Sequence, residues 1–211
     1  KLGDADIQKS DDKIELNSKY GRKISSFDNL FYGGLVNFRS QFDDGYETAA
    51  PTKIISKFMS PAYLTAAIGI DYKPNADLSV FFAPASYRGT FVLDNKLNAV
   101  GAFGVDSNST IRHELGGLLM VKYQKDVLKN INLKTQATFF SNYIETPQNI
   151  DVLWDVLISM KVNKYISASI STSLIYDHDI LLPLEDDAGN QFTGRRVQFK
   201  EVLNIGFNYK F

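Results

Sequence analysis

The final stretch of the chain, Asn204 to Phe211, sets Ile205, Phe207, Tyr209 and Phe211 in alternation with Asn204, Gly206, Asn208 and Lys210. Side chains one residue apart on a strand point to opposite faces, so the four large apolar groups share one face and the polar set shares the other. In water, a terminal strand with a greasy free face templates aggregation. In a bilayer the same pattern is stable, because one face meets lipid and the other meets a wet interior. This alternation limits the chain to a sheet whose two faces see different surroundings.

The pattern recurs along the chain. About nine strands can be read, near residues 13–24, 29–42, 58–73, 78–93, 110–124, 131–143, 150–162 and 165–177, with the ninth at the end. Ile14, Leu16 and Tyr20 oppose Glu15, Asn17 and Lys19. Ile68, Ile70 and Tyr72 oppose Gly69 and Asp71, and Val152, Trp154 and Val156 oppose Asp151 and Asp155. Pro84 falls inside the fourth strand and removes a ladder donor, which predicts a bulge there. Short turns alternate with longer polar loops at 43–53, 94–108, 145–149 and 178–196. In bacterial barrels the short turns are periplasmic and the long loops extracellular, which places the C-terminus on the periplasmic side.

Composition narrows the class. Lys plus Arg number 23 against 24 Asp plus Glu, which lacks the basic excess a nucleic-acid binder needs. There is no cysteine, so the chain holds no disulfide or thiolate site. No run of about eighteen apolar residues offers a transmembrane helix. A soluble β-sandwich also alternates, with its apolar face in a core. Two features favour the membrane instead. The strands span about 11–16 residues, where globular ones peak near five or six. Tyr20, Tyr72, Tyr123, Tyr165 and Tyr209 gather at the short-turn ends, as an interfacial girdle requires.

Four segments carry a resemblance: Asp12–Gly21, Asn149–Leu157, Met160–Ala168 and Gln198–Phe207. They resemble an uncharacterised Bacteroidota family of outer-membrane barrels, known as a domain of unknown function. The C-terminal set Ile205, Phe207, Tyr209 and Phe211 is similar to the insertion signal of outer-membrane barrels. The resemblance implies an all-β, antiparallel, up-and-down transmembrane β-barrel in the outer membrane of a Gram-negative cell. It implies about three further N-terminal strands, hence about twelve in all, an even count of the kind such barrels have. Residues 1–12 then read as a polar extracellular loop or linker, and 13–211 as barrel lacking its first strands. Implied partners are outer-membrane lipid and lipopolysaccharide, the barrel-assembly machinery, and other outer-membrane proteins. The family brings no known activity.

Three constellations bear on chemistry. The inward set is Glu15, Lys19, Arg39, Asp71, Arg112, Glu114, Lys122, Lys134, Asp151, Asp155, Lys161 and Lys200. Such a set either lines an anion-selecting constriction or pairs across a filled lumen. His113 and His178 are the histidines of the chain, and His178 lies between Asp177 and Asp179 at the outer rim, where a hydrolase would need its base. The acidic loop at Glu185, Asp186 and Asp187 lacks EF-hand spacing and reads as a solvated loop. No cofactor or metal site is assigned. The expectation is a non-enzymatic barrel, a structural or accessory subunit of an outer-membrane assembly. The alternatives are a narrow passive channel for ions or small solutes, and a rim hydrolase using His178.

Overall fold

The computed structural model describes residues 12–47, 50–180, 182–185 and 191–207. Tyr209 and Phe211, Asp186 and Asp187, and nearly all of the expected 1–12 linker lie outside them. The described chain is mostly strand, with almost no helix. The strands are β1 (Ile14–Lys23), β2 (Leu30–Ser40), β3 (Gly45–Glu47), β4 (Ala50–Ser56), β5 (Ala62–Tyr72) and β6 (Leu78–Phe91). A short helix α1 (Asn95–Ala99) precedes β7 (Ile111–Leu128), β8 (Ile131–Asn142), β9 (Ile150–Lys161) and β10 (Ile166–Tyr176). The chain continues through β11 (Leu182–Glu185), β12 (Gln191–Gly194) and β13 (Gln198–Phe207).

Nine of these form one antiparallel sheet in the order β1-β2-β5-β6-β7-β8-β9-β10-β13. Each strand pairs with the next long strand along the chain, an up-and-down meander. The expected count of nine strands holds. The loops do not stay irregular. The 43–53 loop folds into the hairpin β3–β4, the 178–196 loop contains the hairpin β11–β12, and the 94–108 loop builds α1. Short strands of three to seven residues fell below the alternation needed to read them. The turn expected at 125–130 is also tighter, because β7 runs on to Leu128 and leaves Lys129-Asn130 between the strands. Among the described residues, β1 and β13 are the edges of the sheet, and both are exposed along nearly their whole length.

Two compact units share these strands, and five strands run from one unit into the other. The described part of the larger covers 20–34, 67–86, 115–180, 182–185 and 191–207. Here one sheet face buries Ala67, Phe81, Ala83, Leu118, Met120 and Phe140, together with Asp71, Ser86 and Asn142. The opposite face exposes Tyr32, Ile68, Ile70, Tyr72, Phe82, Leu115 and Trp154. Burial alternates along β5, where Ile68 is 72% exposed and Asp71 only 3%. In β6 the alternation slips. Ala83 is buried, Pro84 and Ala85 are both exposed, and Ser86 is buried again. The predicted irregularity at Pro84 is therefore a shift of phase, after which even-numbered residues point to the mixed face.

Glycines let strands of this unit close up on the mixed face. A Cβ at Gly33 would collide with the Tyr20 carbonyl oxygen, one at Gly69 with that of Phe82, and one at Gly116 with that of Ser141. These are backbone collisions, which a rotamer change cannot relieve. Glycine at such points admits the bend and coiling that a β-sheet needs to curl.

The smaller unit, described over 12–19, 35–47, 50–66 and 87–114, contains the β3–β4 hairpin and α1. Val92, Leu97 and Val105 form a small apolar core with Ala102 and Phe103 against it. The Ser60 hydroxyl accepts the backbone N–H groups of Leu93 and Asp94, each at 2.8 Å, and anchors the start of the helical loop.

Gly116→Val is expected to prevent folding or to cost at least about 3 kcal/mol, since the cost of overpacking rises when backbone must move. Denaturant midpoints of the refolded protein check this; an unchanged midpoint would show that β7 and β8 separate freely there.

Candidate functional site

The charges of the mixed face form two groups, one in each unit. In the smaller unit, Glu114 is buried, with 1% of its side chain exposed. Arg88 grips it through Nε at 2.8 Å and Nη2 at 2.5 Å, and Arg112 reaches it at 3.2 Å. A two-point guanidinium–carboxylate contact is the strong form of this interaction. Arg88 is absent from the inward set read from sequence. Extending the phase of early β6 sends Arg88 to the other face, and only the slip at Pro84–Ala85 turns it inward. The proline was the available signal. Also in this unit, Glu15 accepts the Asn37 amide at 3.0 Å and pairs with Lys13 at 2.8 Å. The Arg39 guanidinium lies 4.8 Å from the Tyr63 ring centre. Lys19 ends this unit's part of β1 and is exposed.

In the larger unit, buried Asp71 accepts the Ser79 hydroxyl at 2.6 Å and meets Lys73 at 3.2 Å. The ladders place Lys122 opposite Gln136, and Lys134 between Gln124 and Leu157. Asp155 falls between Gln136 and Ser173, Lys161 opposite Ser167, and Lys200 opposite Ser173. β10 contributes to this face the hydroxyls of Ser167, Ser169, Ser171 and Ser173, with Ile175 at the end of the row.

At the turn end of this serine row lies a groove of about 690 Å³, lined by Lys129, Lys161, Lys164, Ser167, Ser169 and Asn204 among others. Among the described residues, none of the three lysines meets a carboxylate. Lys164 instead stands 4.8 Å from the Tyr165 ring centre. Asp126, the acid at the groove, accepts the Asn132 amide at 2.7 Å. Ammonium groups with hydroxyl and amide donors suit an oxyanion, a carboxylate or a phosphate.

The histidines have local partners. His178 Nδ1 lies 3.0 Å from the Tyr176 hydroxyl. Its backbone N–H donates to Asp151 at 3.0 Å, and its carbonyl accepts Arg195 Nε at 2.6 Å. The nearby carboxylate thus holds the backbone of His178 rather than orienting its ring. His113 Nδ1 is 2.9 Å from the Tyr87 hydroxyl.

The 94–108 loop is held by charge. The Asp94 carboxylate caps α1 by accepting the N–H groups of Lys96 and Leu97, and it pairs with Lys57 at 3.0 Å. The Leu97 N–H, followed by the Lys57 ammonium, holds the Asp94 carboxyl below the usual aspartate range. Hydrogen bonding to Asp94 raises Lys57 in turn.

The family model described as a protein of unknown function, DUF3078, matches residues 1–46. That span includes Asp12–Gly21, one of the four segments that carry the resemblance, and stops short of the other three. No curated protein and no solved structure matches the chain.

Glu114→Ala is expected to cost about 3–5 kcal/mol, because it removes a buried carboxylate that two largely buried guanidinium groups grip. Chemical denaturation checks this, and a loss under about 1 kcal/mol would mean that water already reaches the arginines. A second expectation concerns pH. The contribution of Asp94 is complete above the ordinary aspartate range and is lost as pH falls through its lowered folded value. That of Lys57 is complete below the ordinary lysine range and is lost as pH rises through its raised value. Between about pH 7 and about pH 3, wild type should therefore lose more thermal stability than Asp94→Asn; equal losses would remove the pair from the acid response.

Proposed function

We propose that the chain is the wall of a transmembrane β-barrel of a bacterial outer membrane, of the kind found in Bacteroidota. In this reading it acts as a non-enzymatic structural or accessory subunit of an outer-membrane assembly. The carrying observation is the face of the larger unit that exposes Ile68, Ile70, Phe82 and Trp154 while its reverse is packed. Water would penalise such a face by about 25 cal/mol for every Å² of apolar area, and hydrocarbon would not.

Three further observations agree. The long strands have 10 to 18 residues, which meets the 9–11 or so that a tilted strand needs to span hydrocarbon. The polar tip of Trp154 on the apolar face is satisfied, because its indole N–H donates to Thr135 at 2.9 Å and the Thr135 hydroxyl donates to the Asp155 carbonyl at 3.1 Å. Hydrocarbon requires such internal satisfaction. The glycine close approaches favour the curling that a barrel needs. The insertion signal fits the same reading: Ile205 and Phe207 lie on the apolar face, 77% and 73% exposed, with Phe207 stacked on Tyr165.

A second reading, a narrow channel for small anions, rests on the lysine groove. The apolar residues Phe81, Leu118, Met120 and Phe140, buried on the same face, favour a restricted lumen.

Membrane fractionation tests the leading reading. The protein should sediment with outer membranes and resist alkaline extraction, whereas Ile68→Lys, costing about 2–4 kcal/mol near mid-membrane, should deplete the inserted form. Full recovery in the soluble fraction would overturn it. Planar-bilayer recording tests the second reading. Anion-selective conductance that Lys161→Glu reverses would support it, and silence would remove it.

A further inference from the structure

On the apolar face of β10 and β13 the register sets Leu174 opposite Phe199, Thr172 opposite Glu201, Ile170 opposite Leu203, Ala168 opposite Ile205, and Ile166 opposite Phe207. The ladder extends this row, with Thr172 opposite Val156 of β9 and Val156 opposite Thr135 of β8. Glu201 is thus a lone carboxylate among exposed apolar neighbours, with Phe199 62% and Leu203 66% exposed beside it. Among the described residues, neither its carboxylate nor the Thr172 hydroxyl has a hydrogen-bond or ion partner. Its level lies inside the apolar band. Six residues separate it from Phe207 and three from Gln198, or about 20 Å and about 10 Å of strand at some 3.3 Å per residue.

If this face meets lipid, as the proposed function requires, hydrocarbon offers Glu201 no donor. An ionisable group at such a place marks a site with a partner. We propose that the face bearing Thr172 and Glu201 is the contact of a homodimer within the membrane, and that the partner is a second copy of this chain. The register supplies the argument. Two copies inserted with the same orientation relate by a two-fold axis along the membrane normal, which preserves height. Thr172 and Glu201 are direct register partners, so strand tilt separates their heights by only about 3 Å, within the reach of a glutamate side chain; one is a donor and one an acceptor. The axis therefore brings the Thr172 hydroxyl of each copy to the Glu201 carboxylate of the other. This makes two equivalent hydrogen bonds in an isologous contact of the commonest symmetry. Phe199, Leu203, Ile170 and Leu174 supply the surrounding packing surface. A second copy of the chain would then be the first partner in the outer-membrane assembly.

The absence of cysteine makes the test clean. Two differently tagged full chains, one Thr172→Cys and the other Glu201→Cys, are co-expressed, shown to reach the outer-membrane fraction, and mildly oxidised. A disulfide-linked dimer carrying both tags is expected, several-fold above a control pair of Ser171→Cys, on the mixed face, with Glu201→Cys. Native mass spectrometry of the wild type in mild detergent should show a dimer, and Glu201→Leu should weaken it about tenfold through loss of two membrane hydrogen bonds. Glu201→Gln, which keeps an acceptor, should retain most of the dimer and shows that the position tolerates change. A wild-type monomer in detergent, with no mixed-tag product from protein that is in the membrane, overturns the dimer and leaves the barrel reading standing. A Glu201→Cys cross-link to a different protein also overturns it. Failure to reach the membrane overturns the barrel reading first and this inference with it.

Discussion

Period two is the constraint on which everything else in this molecule depends. A regular strand cannot place consecutive side chains on one face, so a long alternating strand commits half its residues to each of two surroundings and changes phase only at an irregularity such as that at Pro84. Nine such strands in one meander give a sheet with a packed, mixed face and a bare apolar one. Close approach follows from the same geometry. Where a mixed-face side chain would strike the neighbouring backbone, at Gly33, Gly69 and Gly116, only glycine is compatible. Alternation creates the two faces, and the glycines let neighbouring strands draw together on one of them.

The mixed face balances charge against packing. In the smaller unit one buried carboxylate serves two guanidinium groups, an arrangement that is costly to desolvate and more costly to break. In the larger unit the same face changes along the sheet from buried Phe81, Leu118 and Met120 to the serines of β10 and the lysine groove at their turn end. The subunit and channel readings correspond to these two characters. A packed face suits a wall that holds its form, and an open cationic groove suits a small anion.

Much of the fold was legible from side-chain identity alone. The nine strands, their faces and the disturbance at Pro84 follow from local alternation and from the missing N–H of proline. The hairpins in the long loops were not legible, because strands of three to seven residues show too little alternation and owe their form to cross-strand pairing. Within the candidate site, Glu114 and Arg112 were legible on one phase of β7. Arg88 was hidden, because the proline predicted a disturbance without saying that the phase would invert. The helical loop was hidden too. Its anchors, Ser60 and Lys57, lie more than thirty residues from the groups they hold.

The sequence by itself therefore determined that this chain forms long antiparallel strands with one apolar face, since alternation is a property of neighbours along the chain. Only the tertiary structure decided which groups meet: Arg88 with Glu114, Asp94 with Lys57, and Glu201 opposite Thr172 on a face that, among the described residues, offers neither a partner. Those meetings depend on register and on one phase slip. Register is settled by pairing between distant segments, where a shift of one residue exchanges the two faces, and no local pattern encodes it.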